Sequence, residues 1–331
     1  MVAASGGRAA LATWRAARWL ACFAAISLTL VSDLAAQAPS AYADAPPPVA
    51  DQEPITAIPD PPAAEPARLA LGEHLFDDRR LSHDGTLACT SCHDINTNGA
   101  DGHLHPVSGA IGKPPLATLS IFNAALSFRL NWRGNVRTLQ EQAEASIENP
   151  ENMASSVAEV LSRLSADHTI VRQFQHAYGR EPDRSSLLDA IAVYEGSLLT
   201  PDSRFDQWLK GDRTALSSEE QHGYVLFQSL GCVACHQGVN VGGNLYERHG
   251  IFHPLASPWP EVLRVPSLRN VAVLAPYFHD GSAPTLDDAV RQMAVAQLDQ
   301  TLSDDQVAAI TAFLRTLTGK YRGVTVTAPM Q

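Results

Sequence analysis

The 331-residue chain has little positive charge and little sign of β-structure. Lys and Arg number 24 against 35 Asp and Glu, which gives a net charge of −11, and no basic cluster interrupts this balance. An acidic surface repels phosphate backbones, so nucleic acid is excluded as a partner. Alternation of apolar and polar residues is scarce, whereas helical spacing is common, and this favours an all-α fold with long loops.

Cysteine is also rare, with five in the chain. Cys22 lies in the N-terminal apolar segment, and the other four form two copies of Cys-x-x-Cys-His, at residues 89–93 and 232–236. This motif attaches c-type haem: the thiols add to the haem vinyl groups, and the histidine ligates the iron. No cysteine is left for a disulfide. The predicted attachment residues are Cys89, Cys92, Cys232 and Cys235, and the predicted proximal iron ligands are His93 and His236.

Zinc binding and thiol redox chemistry are the other uses of Cys-x-x-Cys pairs. The two pairs are far apart in the chain, and each is followed at once by histidine, which argues against one shared zinc site. Thiol redox motifs occur in a βαβ context, which the sequence does not show. Two covalently bound c-type haems are therefore predicted.

No apolar run is long enough for a good membrane span. Arg8, Arg15 and Arg18 precede a short apolar run at residues 19–31, and small residues follow. This pattern predicts a cleaved signal peptide at residues 1–38 and a periplasmic protein, with an uncleaved anchor as the alternative. Residues 39–66 are rich in Pro and Ala, which indicates an extended arm or linker.

The remaining chain shows amphipathic helices with clear starts. Ser156 begins a helix whose apolar residues have i, i+3, i+4, i+7 spacing, and Ser217, Thr285 and Ser303 begin capping boxes. A similar helix precedes each haem motif, at residues 71–76 and 222–227. We therefore expect two cytochrome c-like haem domains, each with one Cys-x-x-Cys-His motif, at residues 67–200 and 201–331.

From about residue 68 to residue 318, the chain resembles the bacterial di-haem cytochrome c peroxidases and their MauG-like relatives. Besides the haem motifs, the resemblance is carried by residues 71–77, 122–125, 132, 139–143, 205–211, 238–240, 268–270 and 275–279. It implies an oxidoreductase with two unequal haems. The N-terminal haem meets hydrogen peroxide, and the C-terminal haem takes electrons from a small redox protein, a cytochrome c or a cupredoxin.

The resemblance also assigns roles to single residues. His93 ligates the peroxidatic haem and His236 the electron-transfer haem. Met293 falls at the sixth-ligand position of the second haem, although from composition alone it would be a packing residue of a helix. Trp132 matches the tryptophan between the two haems.

Three departures concern the first haem and a metal. Gln142 matches the distal glutamine of the family, but Asn152 stands where the distal glutamate is expected. Either Glu151, or Glu148 one turn earlier, substitutes for it, or peroxide turnover is weak. Gly109 stands in place of the histidine that caps this haem in many members, which predicts an open sixth position at rest. Ala117 replaces an asparagine that helps to bind Ca²⁺, which weakens the expectation of calcium.

Two other functions remain open from the sequence. A MauG-like enzyme would oxidise residues of a partner protein, although its described members have Tyr where this chain has Met293. A non-enzymatic di-haem electron carrier is the other. The resemblance further allows a homodimer, and Arg269 is expected to bind either a haem propionate or an acidic side chain.

Overall fold

The computed structural model describes residues 53–105 and 112–329. The predicted signal peptide, most of the Pro/Ala-rich arm and Gly109 lie outside the described residues. In the described part, nine helices are joined by long loops with three small two-stranded sheets. The predicted mostly helical fold is confirmed. The helices are α1 (Pro66–Phe76), α2 (Leu139–Glu148), α3 (Val157–Ser165), α4 (His168–Tyr178), α5 (Arg184–Ser197), α6 (Arg204–Leu209), α7 (Ser218–Ser229), α8 (Leu286–Leu298) and α9 (Asp304–Arg315).

Side-chain caps fix where these helices begin. The hydroxyl oxygens of Ser217, Thr285 and Ser303 each accept a hydrogen bond from the backbone N–H three residues later. Such a bond satisfies one of the free N–H groups in the first helical turn, typically stabilising the helix by about 1 kcal/mol. Ser156 does the same for α3, as its spacing predicts.

The N-terminal half (residues 67–200 of the predicted boundaries) is built on the crossing of α1 and α5. A Cβ on Gly72 would lie 2.0 Å from the carbonyl oxygen of Ala190, so only glycine permits this approach. Phe76 and Tyr194 pack one turn further along, with ring centroids 5.3 Å apart. The close crossing fixes the end of α1, from which the chain runs into the first haem motif.

The C-terminal half (residues 201–331) repeats this crossing with α7 and α9. A Cβ on Gly223 would lie 1.9 Å from the carbonyl oxygen of Ala309, and Phe227 packs on Phe313 at 5.2 Å. The second haem motif follows α7 as the first follows α1. The rough internal repeat of the sequence is therefore a repeat of helix packing.

A second repeated unit follows each haem motif. Asn123 and Asn270 both have φ of 60° and both donate from Nδ2 to the hydroxyl of Thr200, at 2.8 and 3.0 Å. Each is followed by a turn that an isolated bridge closes, Leu130–Val136 in one half and Tyr277–Ala283 in the other. The turns lead into α2 and α8, so these two helices occupy equivalent places in the two halves.

Short antiparallel strands and chain ends complete the packing. The strands are β1 (Leu104–His105) with β2 (Leu116–Ala117), β3 (Tyr246–Arg248) with β4 (Val262–Arg264), and β5 (Lys320–Tyr321) with β6 (Val324–Thr325). Val326 packs in the N-terminal half with Phe76 and Phe122. Ile55, from the described end of the arm, is fully buried in the apolar cluster of the C-terminal half. None of the described helices is long and apolar enough to cross a membrane.

Candidate haem sites

The first haem motif is a single 3₁₀ turn, Cys89–Ser91, followed by Cys92 and His93. The Nδ1 atom of His93 donates a hydrogen bond to the carbonyl oxygen of Gly99 at 3.0 Å. Because a carbonyl only accepts, this bond fixes the tautomer and leaves Nε2 with its lone pair free for a metal. Burial lowers the pKa of His93, which keeps the imidazole in the neutral form that ligates iron.

The second motif repeats this geometry at the 3₁₀ turn Cys232–Ala234. His236 is 8% exposed, and its Nδ1 atom donates to the carbonyl oxygen of Val241 at 3.3 Å. Burial lowers the pKa of His236 to about 4. A Cβ on Gly242 would lie 2.2 Å from the carbonyl oxygen of Pro266 and 3.4 Å from the ring, so glycine is needed to seat this imidazole.

The four cysteines beside these imidazoles are free thiols. Burial raises the pKa of Cys89 and raises that of Cys232 to about 11, so neither is a reactive thiolate of the redox type. Paired thiols one turn apart, followed by an imidazole with a free Nε2, fit the attachment and ligation of c-type haem. The residues present therefore fit a haem at each motif.

A cavity opens beside His93. Its lining includes Cys89, Cys92, Gln142, Asn152 and Glu195. The structure thus brings the predicted distal glutamine into the same space as the predicted proximal histidine. The rest of the wall is mostly apolar, as expected of a pocket that holds a cofactor and presents a few polar groups.

Gln142 is held at both ends of its amide. Its Nε2 atom donates to Oδ1 of Asn131 at 3.0 Å, and its Oε1 atom accepts from the Ser146 hydroxyl at 3.1 Å. Asn131 lies in the closed turn before α2 and has φ of 66°. These bonds orient the amide without using a charged group, so Gln142 can position a small polar ligand but cannot carry a proton for it.

The predicted carboxylate substitutes lie elsewhere. Glu151 and Glu148 are exposed and are not part of the cavity wall, whereas Asn152 is. The backbone N–H of Glu151 donates to Oδ1 of Asn149 at 3.0 Å, which fixes the loop after α2. The catalytic role of Glu151 stays a prediction, and its side chain would have to move to serve this cavity.

Sequence reasoning missed Glu195. Its side chain is buried, although nothing in its chemistry favours burial. The signal was present in the helical pattern, because Leu188, Ile191, Glu195 and Leu198 have the i, i+3, i+7, i+10 spacing of one helix face. A carboxyl on an otherwise apolar helix face is the sequence signal for a buried functional residue.

Met293 lies half-buried on α8. This helix packs in the apolar cluster that also contacts Cys232 and Val233, and the Leu298 side chain lies 3.8 Å from a Cβ placed on Gly231. The helix is thus next to the second haem motif, as a ligand-bearing helix must be. The ligation itself stays a prediction.

Trp132 lies in the bridged turn of the N-terminal half and contacts residues of both halves. Its Nε1 atom donates to the carbonyl oxygen of Ala117 at 2.7 Å, and its ring meets His279 edge-on at 6.1 Å. The backbone N–H of Arg264 donates to the carbonyl oxygen of Trp132 at 2.8 Å. Contacts with residues of both halves fit the predicted position between the haems, while its role in electron transfer stays a prediction.

Of the two partners expected for Arg269, a haem propionate or an acidic side chain, the structure shows the acidic side chain. Its Nη1 atom lies 2.9 Å from Oδ1 of Asp206, and both side chains are buried. Arg264 is instead the buried cation with an unpaired atom, because its Nη1 has no hydrogen-bond partner within residues 53–105 and 112–329. Burial lowers the pKa of Arg264. Arg264 therefore has a free donor that could bind a carboxylate of the haem, whereas Arg269 already has an acidic partner.

A calcium site gains no direct support from side chains. Among the described residues, the only cluster of three potential ligands from His, Cys, Asp and Glu is Cys92, Asp101 and His105. Cys92 is a predicted haem thiol, and thiolate is a poor ligand for Ca²⁺. The carbonyl oxygen of Ala117 is already used by Trp132. Calcium stays a prediction from resemblance.

Comparison with known proteins settles the family. The family model described as di-haem cytochrome c peroxidase matches residues 66–214, and a cytochrome c model matches residues 220–318. A cytochrome c551 peroxidase of Nitrosomonas europaea is 38% identical over 265 residues, covering 75% of this chain and 79% of its own length. The chain belongs to the di-haem cytochrome c peroxidase family.

Two further relatives show the breadth of this peroxidase family. Methylamine utilization protein MauG of Methylorubrum extorquens is 29% identical, with 70% of each chain covered. The crystal structure of a MauG-like protein associated with microbial copper homeostasis has a TM-score of 0.66 and 26% identity, covering 80% of this chain and 94% of the other. The chain is thus a peroxidase-type oxidoreductase with two covalently bound c-type haems.

Proposed function

We propose that the protein reduces hydrogen peroxide to water in the periplasm, with electrons from a small cytochrome c or cupredoxin. The N-terminal haem, ligated by His93, is the peroxide site, and the C-terminal haem, ligated by His236 and Met293, is the entry point for electrons. The observation that carries the proposal is the shared cavity, in which an oriented imidazole and a fixed distal amide meet.

The chain's own residues have distinct parts in this reaction. When bound, haem supplies the iron chemistry that cleaves the O–O bond, and reduction to two waters takes up two electrons and two protons. His93 holds its ring in one tautomer through Gly99, while Gln142 offers its amide to orient the peroxide. Trp132, whose ring contacts His279 of the other half, would carry electrons between the haems. The exposed Asn152 connects the cavity with solvent, the source of protons.

Steady-state turnover with a reduced small cytochrome tests the proposal. We expect two cytochrome molecules to be oxidised for each peroxide consumed, as followed in the visible spectrum of the donor. Peroxide consumption without oxidation of cytochrome or cupredoxin would contradict it.

A MauG-like oxidation of residues in a partner protein is the second candidate. The observation that favours it is Asn152, an amide in the cavity wall where the resemblance expects a carboxylate. Asn152→Glu separates the two functions. If the protein is a peroxidase, Asn152→Glu should oxidise reduced cytochrome faster than the native protein does. If it is MauG-like, the native protein should not oxidise cytochrome in turnover at all.

An electron paramagnetic resonance spectrum of the oxidised protein tests the open sixth position at the first haem. Gly109, on which that expectation depends, lies outside the described residues. We expect a high-spin signal from the N-terminal haem at rest. A low-spin bis-histidine signal would show that another histidine caps it.

A further inference from the structure

Glu195 is a buried carboxyl in the wall of the first haem cavity. It lies near the end of α5 and is 6% exposed. It shares the cavity with His93 and Gln142. Its Oε2 atom has no hydrogen-bond partner within the part of the chain that the structure describes. A carboxyl kept in such a place, without a donor to stabilise its charge, costs stability and calls for a functional reason.

The other half of the molecule shows that packing does not require this carboxyl. Glu195 follows Tyr194 at the α1–α5 crossing, as Leu314 follows Phe313 at the α7–α9 crossing. Leu314 is 4% exposed and packs in the apolar cluster of the C-terminal half. The same position of the same helix crossing is thus filled by leucine beside the second haem and by glutamate beside the first.

Nothing charged in the cavity wall competes with Glu195. The other ionisable residues that line it are Cys89, Cys92 and His93. The two thiols are consumed when haem attaches, and His93 is the neutral ligand. Asp77, the residue after α1, adds a negative charge near Cys89. Burial raises the pKa of Glu195 to about 8, which favours the protonated, neutral carboxyl.

We propose that Glu195 is a redox-linked proton carrier for the haem at His93, releasing its proton when that haem is oxidised and regaining it on reduction. The electron leaves to the oxidant, which is peroxide in turnover, and the proton leaves to water through the cavity. The inference rests on His93 as the haem ligand of the proposed function, but not on any turnover with peroxide.

The coupling follows from electrostatics. Oxidation adds one positive charge to the haem, and this charge stabilises a carboxylate in the same low-dielectric cavity. Ionised Glu195 therefore favours the oxidised haem. Glu195 has a lower pKa beside the oxidised haem than beside the reduced haem. Between these two pKa values the midpoint potential falls as pH rises, and outside them it is constant.

Potentiometric titration of the di-haem protein at several pH values measures this directly. We expect the midpoint potential of the N-terminal haem to fall across roughly pH 6 to 9. In Glu195→Gln, which keeps the shape and loses the proton, we expect that slope to disappear and the potential to stay near its low-pH value. Glu195→Leu, which copies the C-terminal half, should behave in the same way.

Two controls keep the result specific. Glu181→Gln removes an exposed carboxylate from the same half and should leave the slope unchanged. The second haem in the same sample should keep its pH dependence in every variant. A reduced-minus-oxidised infrared spectrum should show the C=O stretch of a protonated carboxyl, lost in Glu195→Gln.

The native protein alone can overturn the inference, whether or not the variants fold. A pH-independent potential of the first haem, or an infrared spectrum without a carboxyl signal, would do so. If the pH dependence of the potential persists in Glu195→Gln, another group carries the proton and the inference is wrong. If the slope is found but peroxide turnover is not, the inference stands and the proposed function fails.

Discussion

The two halves share one architecture and differ at a few equivalent positions near the haem motifs. Both have a glycine-mediated helix crossing, an asparagine with positive φ bonded to Thr200, and a bridged turn that leads into a capped helix. On those capped helices, Ser146 lies eight residues after Thr138, and Met293 lies eight residues after Thr285. The short side chain of Ser146 could not reach a haem iron as a ligand, whereas the thioether of Met293 could ligate one.

A second pair of equivalent positions differs in the same way, because Glu195 is the counterpart of Leu314. The backbone is thus repeated, while the side chains at these positions are polar in the N-terminal half and apolar in the C-terminal half. The proposed division of labour between the haems therefore needs a few side-chain changes and no change of fold.

Loss of the proximal histidines should have the largest effect on activity, and the effect should differ between the two halves. We expect His93→Ala to lower kcat/KM for peroxide by at least ~10³-fold, because the reactive iron loses its oriented ligand. His236→Ala should retain the single reaction with peroxide but lose steady-state turnover. Stopped-flow and steady-state assays of both variants measure this. Equal effects in both assays would contradict unequal roles of the haems.

The next largest effect is expected on stability. Asp206→Ala leaves Arg269 buried without its partner, and we expect a loss of about 3–5 kcal/mol in the free energy of unfolding. Glu73→Ala, which breaks an exposed ion pair with Arg322, should cost much less. Urea unfolding of the holoprotein measures both. Similar losses would show that burial of the pair is not what matters.

Removal of the distal amide should have an intermediate effect. We expect Gln142→Ala to lower kcat/KM for peroxide by roughly 10–100-fold, because the peroxide loses a positioning group within the cavity. Gln140→Ala, two residues away and exposed, is the matched control. If the control loses as much activity as Gln142→Ala, α2 is being disturbed as a whole.

Loss of the methionine should have the smallest effect on turnover. Met293→Ser makes the C-terminal half resemble the N-terminal one, and we expect a lower potential of the second haem. Turnover should fall by no more than roughly tenfold, or about 1.4 kcal/mol. Loss of the sulfur–iron absorption band, with the exposed Val295→Ser as control, checks the ligation. If the band survives in Met293→Ser, another residue ligates the second haem.

Much of the fold was predictable because its signals are local. The capping residues Ser217, Thr285 and Ser303 begin helices where the sequence places them, since a side-chain oxygen and the third N–H beyond it are near neighbours in the chain. The haem motifs are equally local. Glu195 escaped notice because its importance depends on which residues its helix face meets.

Sequence by itself determined two haem attachment motifs, a mostly helical fold and the family, because each of these rests on residues close together in the chain or on similarity over most of its length. Tertiary structure alone decided that Arg269 pairs with Asp206, that Glu151 stays outside the cavity, and that Glu195 enters it. Those outcomes depend on helix crossings between residues far apart in sequence. A buried charge is tolerated only where such distant partners, or a bound group, lie within reach.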